Sequence, residues 1–202
     1  MRFIPLEIEG AWAIEVEGHA DERGVFARTW CRDEFAAHGI EGAMVQASVS
    51  YNHRAGTVRG MHFAWPPARE CKLVRCSQGR IHDVIVDLRP DSPSFGTYLS
   101  VELDQRRRSA IFIPSGLAHG FQTLADNCEV HYMMNEAYRP EFADGLRFDD
   151  PALGIRWPLP VSVISDRDRS YPDWDRQAHR ERFARAGTKL EAGTECNVTV
   201  RL

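Results

Sequence analysis

Two histidine-bearing segments carry the residue types that proton chemistry needs. The first is RGMHF, Arg59 to Phe63, with Lys72 ten residues beyond His62. The second is IPSGLAHGF, Ile113 to Phe121, in which Pro114, Gly116 and His119 mark a turn that feeds a strand. An imidazole with an ordinary pKa of about 6.5 takes and returns a proton near neutral pH. A carboxylate beside it orients the ring and favours its charged form. A lysine or arginine stabilises the oxyanion that forms when a carbon acid loses its proton. The competing chemistry is metal binding, with His62, Glu70 and His119 as three ligands. Taken singly, either histidine reads equally as a hydrogen-bonded core residue.

The elements around these residues read as strands. From about residue 44 to 135, short runs rich in Val, Ile, Phe and Tyr alternate with clusters of Gly, Pro, Asp and Ser. The runs are VQASVS (45–50), KLVRCS (72–77), RIHDVIVDL (80–88), YLSVEL (98–103), AIFIP (110–114) and EVHYMM (129–134). His82, Asp83 and Asp87 are mixed with apolar residues in the third run, which suggests a barrel with a polar pocket inside. No helices alternate with these strands, and no GxGxxG occurs, so a dinucleotide fold is excluded. In EVHYMM alternate residues face one way. Tyr132 pointing inward places His131 outward, with Val130 and Met134 on the inner face. RDEFAAH (32–38) reads as a short helix ended by Gly39, and DRQAHRERFARA (175–186) as a terminal one. The expected organisation is a single domain over 1–187 and a polar tail over 188–202.

Composition narrows the function class. Hydrophobic residues make up 43% and charged residues 27%, ordinary for a globular protein, and the formal net charge is −4. A generic basic surface for nucleic acid is not expected, though local arginines can hold a phosphate. No apolar run approaches the roughly 20 residues that span a bilayer. The segment MRFIPLEIEGAW lacks the apolar stretch of a signal peptide. The five cysteines, Cys31, Cys71, Cys76, Cys128 and Cys196, are odd in number and form no CxxC pair. A reducing cytoplasm fits best.

The chain resembles the dTDP-4-dehydrorhamnose 3,5-epimerase family, a branch of the cupin superfamily. The matching stretches are DERGVF (21–26), VQASVS (45–50), TVRGMHF (57–63), KLVRCSQGRIHDVIVDLRPDSPSFG (72–96), IFIPSGLAHGF (111–121), EVHYM (129–133), DDPALGIRWP (149–158) and ISDRD (164–168). The resemblance implies a mostly β fold, a cupin-type antiparallel β-barrel (jelly roll) with short peripheral helices. Metal cupins offer an HxH pair, and Ala64 stands where the second histidine belongs. The family's chemistry needs neither metal nor cofactor. The substrate's C4 ketone acidifies the hydrogens at C3 and C5; a base removes one, an enolate forms, and a proton returns to the other face. By resemblance His62 is the base, Asp168 the carboxylate that pairs with it, Lys72 the group beside the C4 oxygen and Tyr132 the acid on the far face. Asp83 falls where the family has an aspartate within the barrel, behind the reacting groups. Arg23 and Phe26 match residues that reach the neighbouring subunit's site in a homodimer, and Gln46, Arg59 and His119 match ribose and diphosphate contacts.

Three positions depart from the family pattern. Arg28 stands where the family often has Glu, Ser48 replaces an Asn, and Glu70 replaces a Gln. An arginine only donates hydrogen bonds and prefers a base edge rich in acceptors, such as cytosine. The resemblance as a whole implies a nucleotide-diphosphate 4-keto-6-deoxyhexose of the dTDP type as substrate, and Arg28 is what raises another base. The alternative is a CDP-linked sugar inverted at C3 or C5 alone.

Overall fold

Alternation along the strands sorts the side chains into one interior and two outer faces. The computed structural model describes residues 1–40 and 42–187. In chain order the strands are β1 (Arg2–Pro5), β2 (Trp12–Glu15), β3 (Gly18–Asp21), β4 (Gly24–Ala27), β5 (Gln46–Asn52), β6 (Val58–Ala64), β7 (Lys72–Gln78), β8 (Arg80–Asp87), β9 (Tyr98–Asp104), β10 (Ala110–Ile113), β11 (Leu117–Thr123), β12 (Cys128–Met134) and β13 (Ala143–Gly145). The helices are α1 (Arg32–Ala36), α2 (Asp166–Arg169) and α3 (Arg176–Gly187). One antiparallel sheet runs β1-β2-β10-β7-β12-β5 and a second runs β13-β6-β11-β8-β9, while β3 and β4 form a separate hairpin. This is the cupin-type architecture expected from the sequence.

Val74, Cys76, Ile81, Ile85, Ile111, Ile113, Phe121 and Val130 fill the space between the two large sheets. Each such side chain, fully buried, contributes about 1.5–3 kcal/mol. The next residues along the same strands face outward. Leu73, Ala110 and Phe112 pack beneath Phe35 of α1. Met61, Phe63, Val84 and Val86 pack beneath Trp174 and, on α3, Phe183. Both outer faces are therefore covered over much of their area, which is why β8 is buried along most of its length, with Val84, Ile85 and Val86 apolar in succession.

The observed strands begin and end close to the apolar runs of the sequence. The N-terminal segment differs from its expectation. It holds α1, but it also supplies β1 and β2, which extend the larger sheet beyond β10. The polar-tail expectation for 188–202 lies outside the described residues. Among the described residues no helix is long and apolar enough to cross a membrane.

Helix α3 is held by a buried histidine. His179 sits among the rings of Phe63, Trp65, Phe95, Trp174 and Phe183, with Nε2 2.9 Å from the Leu88 carbonyl. Burial, with Arg182 nearby, pushes its pKa below the ordinary 6.5. The unfolded chain thus takes up a proton that the folded chain resists. The stability is fully present above about pH 6.5 and declines as pH falls toward the folded pKa. His82 is lowered by burial in the same direction. Calorimetry at pH 7.5 and 5.5 is expected to show a smaller loss of Tm in His179→Gln than in the unsubstituted protein. Equal losses would place the acid sensitivity elsewhere.

Candidate active site

A carboxylate from the far end of the chain reaches the middle of β6. Ser165 caps α2, its Oγ accepting the Asp168 N–H at 3.1 Å. Asp168 Oδ1 lies 2.8 Å from His62 Nε2, and Oδ2 accepts the Gly60 N–H at 3.1 Å. The Asp168 side chain is 6% exposed and that of His62 45%. Burial opposes ionisation of Asp168, but its bonds to His62, Gly60 and Ser165 outweigh burial and hold the carboxyl below its ordinary range. One imidazole nitrogen is thereby oriented by a charged acceptor, and the ring's open side meets a cavity.

A bulge decides which way β6 points its side chains. His62 pairs with His119 across β6 and β11, but Arg59 pairs with Phe121. Two residues on β6, Gly60 and Met61, therefore stand opposite Gly120 alone. In a regular strand positions 59 and 62 face opposite sides. The extra residue restores them to one side. The bulge needs glycine on both strands. A Cβ on Gly60 would stand 2.5 Å from the Gly120 Cα, and one on Gly120 would stand 2.8 Å from the Arg59 carbonyl oxygen.

The opposite sheet supplies the facing groups. Tyr132 and Val130 face inward from β12, while the exposed His131 bonds to Glu129. Lys72 points inward from β7, its Nζ 2.6 Å from Glu70 Oε1. A cavity of about 230 Å³ is lined by His62, Glu70, Lys72, Tyr132, Tyr138 and Arg167, among others. A second cavity, of about 410 Å³, shares His62 and Arg167 with it and adds Arg59 and Asp168. Burial first, then the nearby Asp83 charge, push the Tyr132 phenol well above its ordinary pKa, and Arg59 offsets this in part. The phenol therefore keeps its proton at neutral pH.

The remaining expected residues divide into two groups. Arg59 donates from Nε to Asn52 Oδ1 at 2.7 Å, Gln46 Oε1 accepts the Tyr138 N–H at 3.0 Å, and Ser48 pairs with Tyr132 across β5 and β12. Arg59 lines the second cavity, while Gln46 and Ser48 line neither and adjoin the first through their partners Tyr138 and Tyr132. His119 lines neither cavity; it lies within the barrel with Nε2 2.8 Å from Asp83 Oδ2. Arg23, Phe26 and Arg28 line neither of these cavities. Arg23 bonds to Asp21 on the hairpin, Phe26 is 81% exposed, and Arg28 bonds to Glu34 at 2.8 Å. The three side chains weighed as metal ligands each turn to a different partner: His62 to Asp168, Glu70 to Lys72 and His119 to Asp83. Among the described residues no group of three or more His, Cys, Asp or Glu converges on a metal position. Tyr138 and Arg167 were not singled out in the sequence. Arg167 adjoins Asp168, but nothing in its spacing marked it.

The family model for dTDP-4-dehydrorhamnose 3,5-epimerase matches residues 5–176. The chain belongs to the dTDP-4-dehydrorhamnose 3,5-epimerase family. It is 42% identical over 173 residues to the enzyme of that name from Methanothermobacter thermautotrophicus, covering 84% of this chain and 92% of the relative. It is 39% identical over 170 residues to a dTDP-4-dehydrorhamnose 3-epimerase from Streptomyces niveus, covering 84% and 82%. The crystal structure of dTDP-4-dehydrorhamnose 3,5-epimerase from Bacillus anthracis, with TDP and PPi bound, superposes with a TM-score of 0.83 at 35% identity, over 86% of this chain and 99% of that one.

For this member of the family the bulge is open to a direct test. Gly120→Ala is expected to cost about 1–3 kcal/mol through overpacking against β6. Because the clash falls on Arg59 and Gly60, substrate turnover should fall further than the loss of folded protein explains. A stable Gly120→Ala protein with full turnover would show that the bulge does not set the site.

Proposed function

We propose that this protein is an isomerase that inverts C3, C5 or both of a dTDP-linked 4-keto-6-deoxyhexose, as a step in deoxysugar biosynthesis. One observation carries the reading. His62 on one sheet, paired with Asp168 of α2, and Tyr132 with Lys72 on the other sheet line the same cavity. A sugar ring between the sheets is reached from two sides, as inversion of a carbon centre requires.

In this reading His62 removes the C–H proton, and the bonding electron pair moves through C4 to its oxygen. The Lys72 ammonium stabilises the resulting enolate oxygen. Asp168 orients the imidazole and stabilises its protonated form. The Tyr132 phenol then delivers its proton to the opposite face of the carbon. Arg59 and Arg167 suit the diphosphate, because a guanidinium forms paired, charge-assisted bonds to phosphate oxygens. Gln46 and Ser48 lie at the nucleotide side. The 3,5- and 3-epimerase names of the relatives leave both outcomes to this chain, and the Tyr132 position supports C5 inversion.

The reading is tested by proton–deuterium exchange, followed by NMR, on dTDP-, CDP- and GDP-4-keto-6-deoxyhexoses. Exchange and inversion are expected with the dTDP sugar. His62→Asn should lower exchange at both carbons by about 10²–10⁴-fold with nucleotide binding retained. Tyr132→Phe should still exchange but invert C5 poorly. Unchanged C5 inversion in Tyr132→Phe would make water or another side chain the acid.

We further propose that residues 1–187 act as one domain and that two copies form a dimer with shared sites. The outer edge of β5 is unpaired, and exposed Val45, Val49 and Tyr51 lie along it. The hairpin holds Arg23 and the exposed Val25 and Phe26 away from their own subunit's cavity, which suits a neighbour's. Unpaired, apolar edges of this kind are ordinarily covered. The unbridged thiols of Cys31, Cys76 and Cys128 suit a reducing cytoplasm. Mixing inactive His62→Ala protein with Arg23→Ala protein is expected to restore roughly a quarter of wild-type activity, from random exchange into dimers with one complete site. An active monomer of 23.0 kDa would overturn the shared site.

A further inference from the structure

Behind Tyr132 lies a second histidine–carboxylate pair that the proposed reaction does not use. Asp83 points inward from β8 and His119 from β11, so both belong to the sheet that faces Tyr132. Asp83 is 0% exposed and His119 4% exposed, and their one bond joins His119 Nε2 to Asp83 Oδ2 at 2.8 Å. Asp83 Oδ1 is buried with no hydrogen-bond partner. The His119 ring meets the Tyr132 ring edge-on, with centroids 5.9 Å apart and planes at 72°. A fully buried carboxylate with one oxygen unpaired costs stability, and an apolar residue of similar size would avoid that cost. The barrel bears the cost beside its proposed acid.

We propose that Asp83, held in orientation by His119, is the positioning residue that fixes Tyr132 as a protonated, aligned acid. This rests on the reading of Tyr132 given above. The His119 ring packs against the tyrosine ring and limits its rotation, while the Asp83 charge disfavours a phenolate in the barrel. The raised pKa of Tyr132, to which Asp83 contributes after burial, agrees with this arrangement. The other charged or titratable groups around Tyr132 include Arg59 and His62 on β6 and Lys72 on β7, and the wall of the cavity that Tyr132 lines adds Glu70, Glu136, Tyr138, Arg139, Asp144 and Arg167. In the reaction the phenol O–H bond breaks as the enolate's electron pair forms the new C–H bond. The phenolate regains a proton from solvent as product leaves, and His62 gives up the one it removed, so no proton is consumed. Asp83 does not touch the substrate; it acts through Tyr132.

The test is Asp83→Asn beside Tyr132→Phe, with deuterium exchange and C5 inversion measured separately. In Asp83→Asn inversion is expected to fall at least tenfold relative to exchange, within the range for a disturbed acid. The Tyr132 contribution to the ultraviolet phenolate titration, isolated by adding Tyr132→Phe to each background, is expected to move to lower pH. Exchange and inversion falling in parallel, or a Tyr132 titration that does not move, would overturn the proposal. If Asp83→Asn does not fold, His119→Gln, which keeps an N–H donor for Asp83, is compared with His119→Phe, which keeps none. The Gln variant should lose less inversion than the Phe variant, and equal losses overturn the proposal. Inversion retained in Tyr132→Phe removes the acid assignment and this inference with it. Inversion lost in Tyr132→Phe but intact in Asp83→Asn removes this inference alone.

Discussion

Asp168 joins two parts of the chain more than a hundred residues apart through both of its oxygens. One holds the His62 ring and the other the Gly60 amide, at sequence separations of 106 and 108. Burying a carboxylate is unfavourable unless its charge and its lone pairs are answered. Here a ring N–H and a backbone N–H answer them, and the Ser165 cap fixes the helical turn that carries the residue. The same contact gives the bulged backbone of β6 an acceptor for an N–H that a bulge removes from the ladder. Segment 163–168 is also joined to the barrel through the Thr57–Val163 bridge and the Val58 N–H to Val163 carbonyl bond of 2.9 Å. Folding of the C-terminal segment onto β6 and orientation of the imidazole are therefore one event.

The barrel interior is divided between apolar packing and paired charges. Val74, Cys76, Ile81, Ile85 and Ile111 close on one another. Each histidine or lysine on the inner faces has its own acid: His62 with Asp168, His119 with Asp83, and Lys72 with Glu70. The strand period of two holds along β8, and along β7 and β12 on the cavity side of a register shift between Glu129 and Val130. Lys72 shares the inner face with Val74 and Cys76, and Tyr132 shares it with Val130. Beside His62 the departure from the period lies in β6, and two facing glycines provide it.

Much of this was legible in the sequence because it rests on short-range pattern. The apolar runs marked β5, β7, β8, β9, β10 and β12, and acidic residues inside an apolar strand marked a polar interior. Other features depend on contacts that no local pattern carries. The face of His62 is set by a bulge whose partner glycine lies sixty residues away. Asp168 stands in an Asp/Arg run that reads locally as a solvated face, yet tertiary contact buries it. β1 and β2 are short, and their pairing with β10 is what makes them strands. Phe26 is exposed and Arg23 bonds only within its hairpin, so no contact within the chain links either to the site, and the role expected of them rests on resemblance alone. Arg28, a departure from the family pattern, is engaged by Glu34, which also holds the chain's amino terminus.

The division of charge also bears on how an anionic substrate is accommodated. Glu70 cancels much of the Lys72 charge, but an ammonium has three N–H bonds, and its contact with Glu70 uses one. In the proposed reaction the remaining donors are left for an enolate oxygen while the carboxylate fixes the amine in place, so positioning gains where net field is lost. A diphosphate needs the reverse, a cation whose field is not already cancelled. The two arginines beside the cavities meet that need. Arg59 donates to the neutral amide of Asn52, and Arg167 donates to the neutral hydroxyl of Tyr171. Both are oriented by partners that leave their charge intact. Under the proposed reaction, paired charges thus sit where a proton moves between fixed positions, and uncancelled ones where a diphosphate is drawn in from water.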